Sequence, residues 1–337
     1  MRILFCTHYF PPEVNAPASR TFEHCRAWAR AGHKVTVLTC APNHPNGRLY
    51  PGYRNSLFQR QTMDGIEIVR VWTFLAANDG FLLRILNYLS FFVSACIAIA
   101  ILPKPDIFIS TSPQFFCGLT GLFARRVRGF LWLLEIRDLW PESIVAVGAM
   151  RRGPLIRLLE WLEVYAYRQA DHIVPVTDSF VKHIAERCKD LDKITVVKNG
   201  VNLDMFKSDA AAAMELRKAL GLEGKFVAAY IGTHGKAHGL ETLLAAAERL
   251  RDDTEIAFLM VGDGAERERL LKLADERRLK NIHIIGQRPR SEMAAIWGAA
   301  DASLILLRRK EAFKKVIPSK MFEAMAMARP IILGVEG

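Results

Sequence analysis

Short apolar runs alternate with longer helical segments from the first residues to the last, and this alternation restricts the fold more than any other feature. An apolar run at residues 3–7 precedes a predicted helix at 19–31, Gly32 ends that helix, and the next apolar run covers 34–39. Strands in this order pair in parallel, with the intervening helices covering both faces of the sheet. The sequence therefore predicts an α/β fold built on doubly wound, Rossmann-like parallel sheets.

The alternation predicts two domains, and a chain of 337 residues is long enough for both. Predicted strands of the first series lie at 3–7, 34–39, 106–110, 130–136, 172–176 and 194–197, and those of the second at 226–231, 256–261, 282–285, 303–307 and 331–333. Predicted helices of the second series lie at 240–250, 265–278, 291–299 and 319–327. A polar, alanine-rich stretch at 204–225 joins them through a short helix, so we predict domains over 1–202 and 203–337. Facing crevices at the carboxyl ends of two such sheets suit the two substrates of a group transfer.

Charge and cysteine usage narrow the class of protein. The net charge of +11 favours anionic partners, but the basic residues are dispersed and no zinc knuckle or RNA-binding signature occurs, so nucleic acid is not expected. The six cysteines lie far apart without a CxxC pair, and the N terminus lacks the pattern of a signal peptide. We therefore expect a cytoplasmic protein with reduced thiols.

The segment at 81–102 is apolar and long enough to span a bilayer, although Arg84 and Asn87 interrupt its first half. A span would leave strands of the first sheet on opposite sides of the membrane, which disfavours it. A buried core helix and a helix lying in the membrane interface are the alternatives.

Three strand-to-helix turns of the second domain have the composition of anion-binding loops: YIGTHGKAHG at 230–239, VGDGAE at 261–266 and PSKMFE at 318–323. Glycines allow backbone amides to approach a phosphate, and helix N termini add partial positive charge. In the third turn Ser319 is a predicted N-cap, Lys320 lies in the first helical turn and Glu323 in the next. Taken singly, each turn is also explained by tight-turn or capping geometry.

The chain resembles the family 4 retaining glycosyltransferases through a series of segments in the same order: PPEVNAPASR, ADHIVPVTDS, ITVVKNGVNLDMF, YIGTHGKAHGLETLL, FLMVGDGAERERLLKLA, IHIIGQRPRSEM and PSKMFEAMAMARPII. The segment RDLWPES at 137–143 resembles in particular the branch that builds O antigens and colanic acid. The resemblance implies the GT-B fold of two facing Rossmann-like domains. It also implies transfer of a sugar from a nucleotide-sugar, UDP- or GDP-linked, without a cofactor.

The resemblance also implies site residues. In the second domain the donor diphosphate is expected to contact Gly232, Thr233, Lys236, Ser319 and Lys320, the nucleobase Gln287 and Arg288, and the ribose Glu323. Gly264, in the second turn, is a further candidate for substrate binding as part of a wall of the same crevice. In the first domain Glu13 and Asn15 face the donor and the acceptor across the cleft.

Several positions depart from the family pattern. Thr233 and His238 stand where the family commonly has basic residues, so the diphosphate charge falls to Lys236 or Lys320. Lys315 replaces the first carboxylate of the usual Glu-x7-Glu pattern, and Asn15-Ala16 replaces a common Gly-Gly. Because further strands and helices normally follow residues 331–333 in this fold, we expect the chain to be truncated at its C terminus.

The predicted chemistry needs no metal. No DxD motif lies in a donor loop, because Asp190 and Asp192 fall in a predicted surface turn. Lysines and helix N termini are expected to stabilise the leaving diphosphate instead. Asp138 is our candidate catalytic group and Glu142 the second, with a structural ion pair between Arg137 and Asp138 as the alternative.

For the acceptor, an interfacial helix at 81–102 together with basic groups near Arg125 and Arg151 favours a polyprenyl-diphosphate-linked saccharide. The expected location is cytoplasmic, peripheral on the inner membrane surface. Two other classes stay open: a non-catalytic GT-B scaffold, and a nucleotide-sugar epimerase or phosphorylase on the same fold.

Overall fold

The computed structural model describes residues 1–76, 81–146, 148 and 150–336. The chain divides into two compact units, Met1–Lys198 and Asn199–Gly337, and each contains its own sheet. The predicted architecture of two α/β units with parallel sheets is confirmed.

The first unit contains a seven-stranded sheet in the order β3-β4-β2-β1-β5-β6-β7. Its strands are β1 Arg2–Cys6, β2 Lys34–Cys40, β3 Phe58–Met63, β4 Ile66–Val71, β5 Ile107–Thr111, β6 Trp132–Ile136 and β7 His172–Pro175. Its helices are α1 Ala16–Arg30, α2 Phe81–Ile101, α3 Phe115–Arg128, α4 Glu142–Ala146, α5 Pro154–Gln169 and α6 Asp178–Cys188.

Two features at the sheet edges differ from the prediction. The hairpin of β3 and β4 was not predicted, and β3 is antiparallel in an otherwise parallel sheet. The predicted strand at 194–197 is present only in part. Ile194 forms a bridge to Ile173 of β7, and the amides of Thr195 and Val197 donate to the carbonyls of Ile173 and Pro175, but the segment forms no regular strand. The carbonyls of Val197 and Lys198 accept hydrogen bonds from the Arg20 side chain.

The central strands of this unit are apolar on both faces because helices cover both sides. One core cluster joins Phe5 and Val37 to Phe10 and Cys25 on one face of the sheet. On β6, Trp132 is fully buried, and its indole would lie 1.8 Å from a Cβ atom at Gly121. Gly121 therefore allows α3 to pack closely against the sheet.

The second unit contains a five-stranded, all-parallel sheet in the order β10-β9-β8-β11-β12. Its strands are β8 Phe226–Ile231, β9 Ile256–Val261, β10 Ile282–Ile285, β11 Ala302–Leu306 and β12 Ile331–Gly334. Its helices are α7 Ala210–Ala219, α8 Glu241–Arg249, α9 Arg267–Glu276, α10 Met293–Ala299 and α11 Lys320–Ala326. Short 3-10 turns occur at Leu203–Met205, Lys236–His238, Arg290–Glu292 and Glu311–Lys315.

In both sheets the strand order reverses beside the first strand. In the first unit β1 lies between β2 and β5, and in the second β8 lies between β9 and β11. Ligands of doubly wound folds bind outside the carboxyl ends of the strands at such a switch point. The loops that follow β1 and β8 are therefore the first places to look for a site.

Residues Leu82–Ile101 of helix α2 are numerous and apolar enough to span a membrane. In the protein, 28% of the most apolar 18-residue segment of this helix is buried. Asn87 and Phe91 are among its buried residues, and its C-terminal half buries Ala95 and Ile99. The helix thus packs one face on the sheet and on α3. The other face is exposed.

Candidate functional site

The loop after β8 and the loop after β9 lock together through three glycines. A Cβ atom on Gly262 would lie 2.0 Å from the carbonyl oxygen of Gly232, and one on Gly264 would lie 2.6 Å from that of His234. All three glycines have positive φ angles, 142° at Gly232, 149° at Gly262 and 152° at Gly264, which side-chain-bearing residues rarely adopt. The two loops can only reach this separation with glycine at these positions.

Lys320 extends from the start of α11 to this pair of loops. Its Nζ atom lies 3.8 Å from the ring centroid of Tyr230 and is 3.1 Å from where a Cβ atom on Gly232 would stand. The ammonium group is enclosed and has no hydrogen-bond partner among the described residues. Burial lowers the pKa of Lys320 to about 7, partly opposed by the charge of Glu323. An ammonium enclosed beside an aromatic face, without a hydrogen-bond partner among the described residues, is suited to pairing with an anion.

Low pKa values keep two histidines of the loop after β8 neutral. Burial and the positive charge of Arg267 lower the pKa of His234 to about 4, while burial and the charge of Lys320 lower the pKa of His238 to about 3. Both ring nitrogens of His234 are buried without a hydrogen-bond partner among the described residues. Since Lys236 is exposed on the 3-10 turn, Lys320 is the cation that the loop encloses.

Glu323 lies one helical turn beyond Lys320 and is held by a tryptophan. The Nε1 atom of the fully buried Trp297 donates to Glu323 Oε2 at 3.2 Å. Burial raises the pKa of Glu323, and the Trp297 hydrogen bond and the charge of Arg290 oppose that rise. One carboxylate oxygen is therefore fixed by the indole.

The predicted nucleobase contacts lie on the loop after β10. Gln287 and Arg288 are both exposed, and an Arg288 guanidinium nitrogen lies 3.7 Å from Glu292 Oε2. Ser319 occupies the position before α11, but its hydroxyl makes no capping hydrogen bond, so the predicted side-chain cap is wrong. Its backbone has a helical conformation, with φ −58° and ψ −29°, which differs from the extended geometry of a capping serine.

A crevice of about 590 Å³ opens at the switch point beside the loop after β8. Its lining includes His238, Gly239 and Thr242 on one side and Arg308 and Phe313 on the other. The amide of Arg308 donates to the carbonyl of Ala237, which ties the two walls together at their base. Lys320 and Glu323 are not among the residues that line this crevice, and His238 of the loop after β8 connects the two regions.

In the first unit, the two predicted residues of the loop after β1 have backbone partners. Glu13 is buried, and its Oε1 atom accepts hydrogen bonds from the amides of Asn43 and His44, both at 2.9 Å. Burial nevertheless raises the pKa of Glu13 to about 7. Asn15 is the N-cap of α1, and its side chain accepts from the amide of Ala18 at 2.9 Å. Glu13 therefore joins the loops after β1 and β2.

The candidate catalytic residues follow β6. Ser112 Oγ accepts from the amides of Arg137 at 2.7 Å and Asp138 at 3.3 Å, which ties this loop to the one after β5. Burial raises the pKa of Asp138 to about 6, with the nearby Glu142 adding to that rise and a hydrogen bond to Ser143 opposing it. A carboxyl group that titrates near neutrality is suited to proton transfer.

The alternative ion pair of Arg137 with Asp138 is not what the structure contains. The guanidinium of Arg137 donates instead to the carbonyls of Ala16 and Pro17, both at 3.4 Å. Its closest charged neighbours are Glu135 and Arg20. Arg137 thus fastens the start of α1 to the loop that carries Asp138.

Glu142, whose side chain is 32% exposed, lies next to a chain of polar groups that includes the buried His183 and Glu163. Its Oε2 atom lies 3.4 Å from His183 Nδ1, and the Nε2 atom of that histidine lies 3.4 Å from Glu163 Oε1. Tyr167 donates to the same oxygen at 2.8 Å, and Arg187 lies 3.4 Å from the other. Glu142 is thereby attached to α5 and α6.

Four residues that support these sites were missed at the sequence level. Arg20 Nε donates to Glu135 Oε1 at 3.0 Å, and both side chains are buried. Tyr230 and Trp297 position Lys320 and Glu323. The glutamate inside the apolar run of β6 was the one local signal, since an isolated charge in a buried strand requires a partner.

In the described part of the chain, no three or more His, Cys, Asp or Glu side chains are grouped so that they could hold a metal ion. The positive charges that act on Glu323 are those of Arg290 and Lys320.

Family models match both units of the chain. The glycosyl transferase 4-like domain matches residues 15–200, and the glycosyl transferases group 1 domain matches residues 213–337. A curated relative, the putative colanic acid biosynthesis glycosyl transferase WcaI of Escherichia coli K12, is 26% identical over 344 residues, which cover 100% of this chain and 84% of that protein.

Solved structures share the fold. Sucrose-phosphate synthase from Thermosynechococcus elongatus matches with a TM-score of 0.74 at 18% identity, over 98% of this chain and 80% of that one. Anabaena Alr3699/HepE, solved with UDP-glucose, matches with a TM-score of 0.67 at 13% identity, over 98% of this chain and 79% of that one. Because the first family model alone covers more than half of the chain, and the second covers most of the remainder, the protein belongs to the glycosyl transferase 4-like family and is a glycosyltransferase of the GT-B fold.

Proposed function

We propose that this glycosyltransferase moves a sugar from a UDP- or GDP-linked donor to a saccharide carried on polyprenyl diphosphate, in the synthesis of a bacterial surface polysaccharide. One observation carries the donor assignment: beside the glycine loop after β8, the enclosed ammonium of Lys320 has no hydrogen-bond partner among the residues that the structure describes. The name of WcaI supports surface polysaccharide as the product class, and the HepE complex supports a UDP-linked donor.

The donor chemistry follows from the residues of the second unit. The diphosphate accepts hydrogen bonds from Lys320 and from the amides of the loop after β8, and it raises the pKa of that lysine back above neutrality because the two charges attract. As the glycosidic bond breaks, negative charge grows on the leaving diphosphate, and a preorganised cation stabilises it. Glu323, fixed by Trp297, accepts hydrogen bonds from the ribose hydroxyls.

We extend the proposal to a retaining, metal-independent reaction at the inner surface of the cytoplasmic membrane. Lys320 supplies charge that a divalent ion supplies in other transferases. Asp138, whose pKa of about 6 allows both protonation states near neutrality, exchanges a proton with the acceptor hydroxyl or orients the sugar, and Glu142 is the second candidate.

Calorimetric titration of the purified chain with UDP, GDP and ADP tests the donor assignment. We expect micromolar binding of one nucleotide, weakened in Glu323→Ala; absence of binding to all three would contradict a donor site in this chain. Transfer of labelled sugar into a solvent-extractable polyprenyl lipid tests the acceptor, and release of free sugar would point to another reaction. Unchanged turnover in EDTA and NMR of the product's anomeric proton test metal independence and retention.

A further inference from the structure

Helix α2 exposes a continuous apolar stripe. Its exposed side chains lie three or four residues apart, as the turns of a helix require: Leu82 (75%), Leu86, Leu89, Val93 (55%), Ile97 (61%) and Ile101. The opposite face is buried on the sheet and on α3. The exposed stripe contains no charged residue over its last four turns. Such a surface on a monomeric protein marks an interaction site.

A second stripe lies on α5. Leu155, Leu158 and Trp161 are exposed at a spacing of three residues. Trp161 stacks on Tyr165, with ring centroids 5.5 Å apart and planes 6° from parallel. Tryptophan and tyrosine prefer the boundary between hydrocarbon and water, where the ring is buried and its polar atom stays wet.

The two stripes are on the same side of the sheet. Helix α2 leads into β5, α3 into β6 and α5 into β7, so the three connections cross the sheet in the same direction. Right-handed crossovers place such helices on one face of the sheet. Helix α3 lies between the others and contacts both. Its exposed end carries Arg126 and Val127, and Arg126 reaches across to the Tyr165 hydroxyl and ring. The stripes therefore belong to a single surface.

Basic residues border this surface. Helices α2 and α3 contain no aspartate or glutamate, and the C-terminal turn of α3 has three arginines. Arg128 donates to the carbonyls of Ala100 and Leu102 at the end of α2, which places its positive charge beside the stripe. Arg152 and Arg157 are exposed at the start of α5.

We propose that the exposed faces of α2 and α5 together form a docking surface for an anionic lipid bilayer, on which α2 lies flat in the interface. Charge and composition select this occupant. A second copy of the chain would bring two arginine-bordered faces together, whereas an anionic bilayer neutralises the arginines and receives the apolar side chains. The proposal rests on the proposed action at a membrane and adds the surface, its orientation and the role of α5.

A transmembrane arrangement of α2 does not fit its contacts. Its buried side includes Asn87, whose amide donates to the carbonyl of Phe74 at 2.6 Å, and Ser90, whose hydroxyl accepts from the amide of Phe74 at 2.8 Å. Moving α2 into a bilayer would break these bonds and uncover the sheet. A helix with one face packed on its own domain and the other apolar is an interfacial helix.

Flotation of the full chain with phosphatidylcholine vesicles, with and without phosphatidylglycerol, tests the proposal. We expect preferential binding to the anionic vesicles. Val93→Asp with Ile97→Asp, and separately Leu158→Asp with Trp161→Asp, should each weaken that binding at least about tenfold, because exposed apolar contacts are replaced by charges of the lipid's own sign. The control pair, Leu203→Asp with Met214→Asp, changes equally exposed residues of the second unit and should leave binding unchanged.

Four outcomes would overturn the proposal. In the vesicle assay these are equal binding by the stripe variants and the control variant, or loss of binding only when α2 is changed. The other two are retention of the protein in the membrane after alkaline carbonate extraction, and a change in the oligomeric state of the stripe variants in the absence of lipid. Calorimetry with the nucleotide that binds wild type separates this inference from the proposed reaction. Stripe variants should keep donor affinity, which also shows that they are folded.

Discussion

The charged groups at the carboxyl edges of the two sheets differ in whether they are already paired within the protein. In the second unit, Lys320 is enclosed beside glycine loops and neutral histidines with no hydrogen-bond partner among the described residues. In the first unit, the ionic groups are already paired: Arg20 with Glu135, and Glu13 with two backbone amides. The second unit therefore has positive charge that a bound ligand can neutralise. The first unit uses these charges to fix its loops.

Removing one member of the Arg20–Glu135 pair should have the largest effect, because it leaves a buried charge uncompensated. Arg20→Met should lower the free energy of unfolding by about 3–5 kcal/mol, measured by urea denaturation. Arg26→Met changes an arginine of the same helix that is 17% exposed and pairs with Glu23 one turn away, and it should cost less, about 1 kcal/mol. Equal effects of the two variants would show that the buried pair does not hold the loops of the first unit together.

Glu13 should make stability depend on pH. Its folded pKa of about 7 exceeds the ordinary value of 4.5, so the folded state binds more protons than the unfolded state between these values. The stability of the wild type relative to Glu13→Gln should therefore be greatest below pH 4.5 and fall by about 2–3 kcal/mol as pH rises to 7. A pH-independent difference in urea denaturation would mean that the amides of Asn43 and His44 hold this carboxylate charged.

Lys320 should affect the affinity for nucleotide. Lys320→Met should weaken affinity for the preferred nucleotide by about 10- to 100-fold, as expected for a lost charged hydrogen bond. Lys236→Met, which changes the exposed lysine of the loop after β8, should weaken this affinity less. A larger loss from the second variant would reassign the diphosphate contact.

The same lysine should affect stability in a defined pH window. Its folded pKa of about 7 lies below the ordinary 10.5, so the unfolded state binds more protons in between and stability rises with pH. The free energy of unfolding of the wild type relative to Lys320→Met should therefore increase from pH 7 upward. Saturating nucleotide should remove this dependence, because the bound diphosphate keeps the ammonium charged.

The smallest effect concerns Trp297, which donates to Glu323, the proposed ribose contact. Trp297→Phe removes the donor to Glu323 and should weaken nucleotide binding by about 1 kcal/mol, while affinity for the corresponding 2′,3′-dideoxynucleotide should change less. Trp132→Phe is the matched control, since its indole is also fully buried and donates to Ser110 at 2.8 Å in the other unit. Equal losses for both nucleotides would indicate a packing effect only.

Local pattern predicted most of the fold. The branched apolar runs of β8, β9 and β11 and the glycine loops were identified from sequence because burial and turn geometry leave local signatures. The β3–β4 hairpin was missed because β3, FQRQTM, is polar and alternately exposed at the sheet edge. The segment at 194–197 follows β7 through three backbone contacts without forming a regular strand, and its apolar pattern does not distinguish these two outcomes.

The site was predicted less completely than the fold. Position and residue type indicated Lys320 and Glu323, but their enclosure depends on Tyr230 and Trp297, which come from distant segments and resemble ordinary core residues in the sequence. Likewise, the burial of Glu13 against two amides depends on how the loops after β1 and β2 meet. Long-range contacts of this kind leave no periodic signal.

The contact between Gly232 and Gly262 has a consequence for engineering donor specificity. Because a Cβ atom at Gly262 would overlap the carbonyl of Gly232, neither loop tolerates an independently chosen backbone. Loop exchange between relatives should therefore succeed only when both segments are transplanted as one cassette. Natural recombination meets the same constraint, and the two segments are expected to be inherited as a single block.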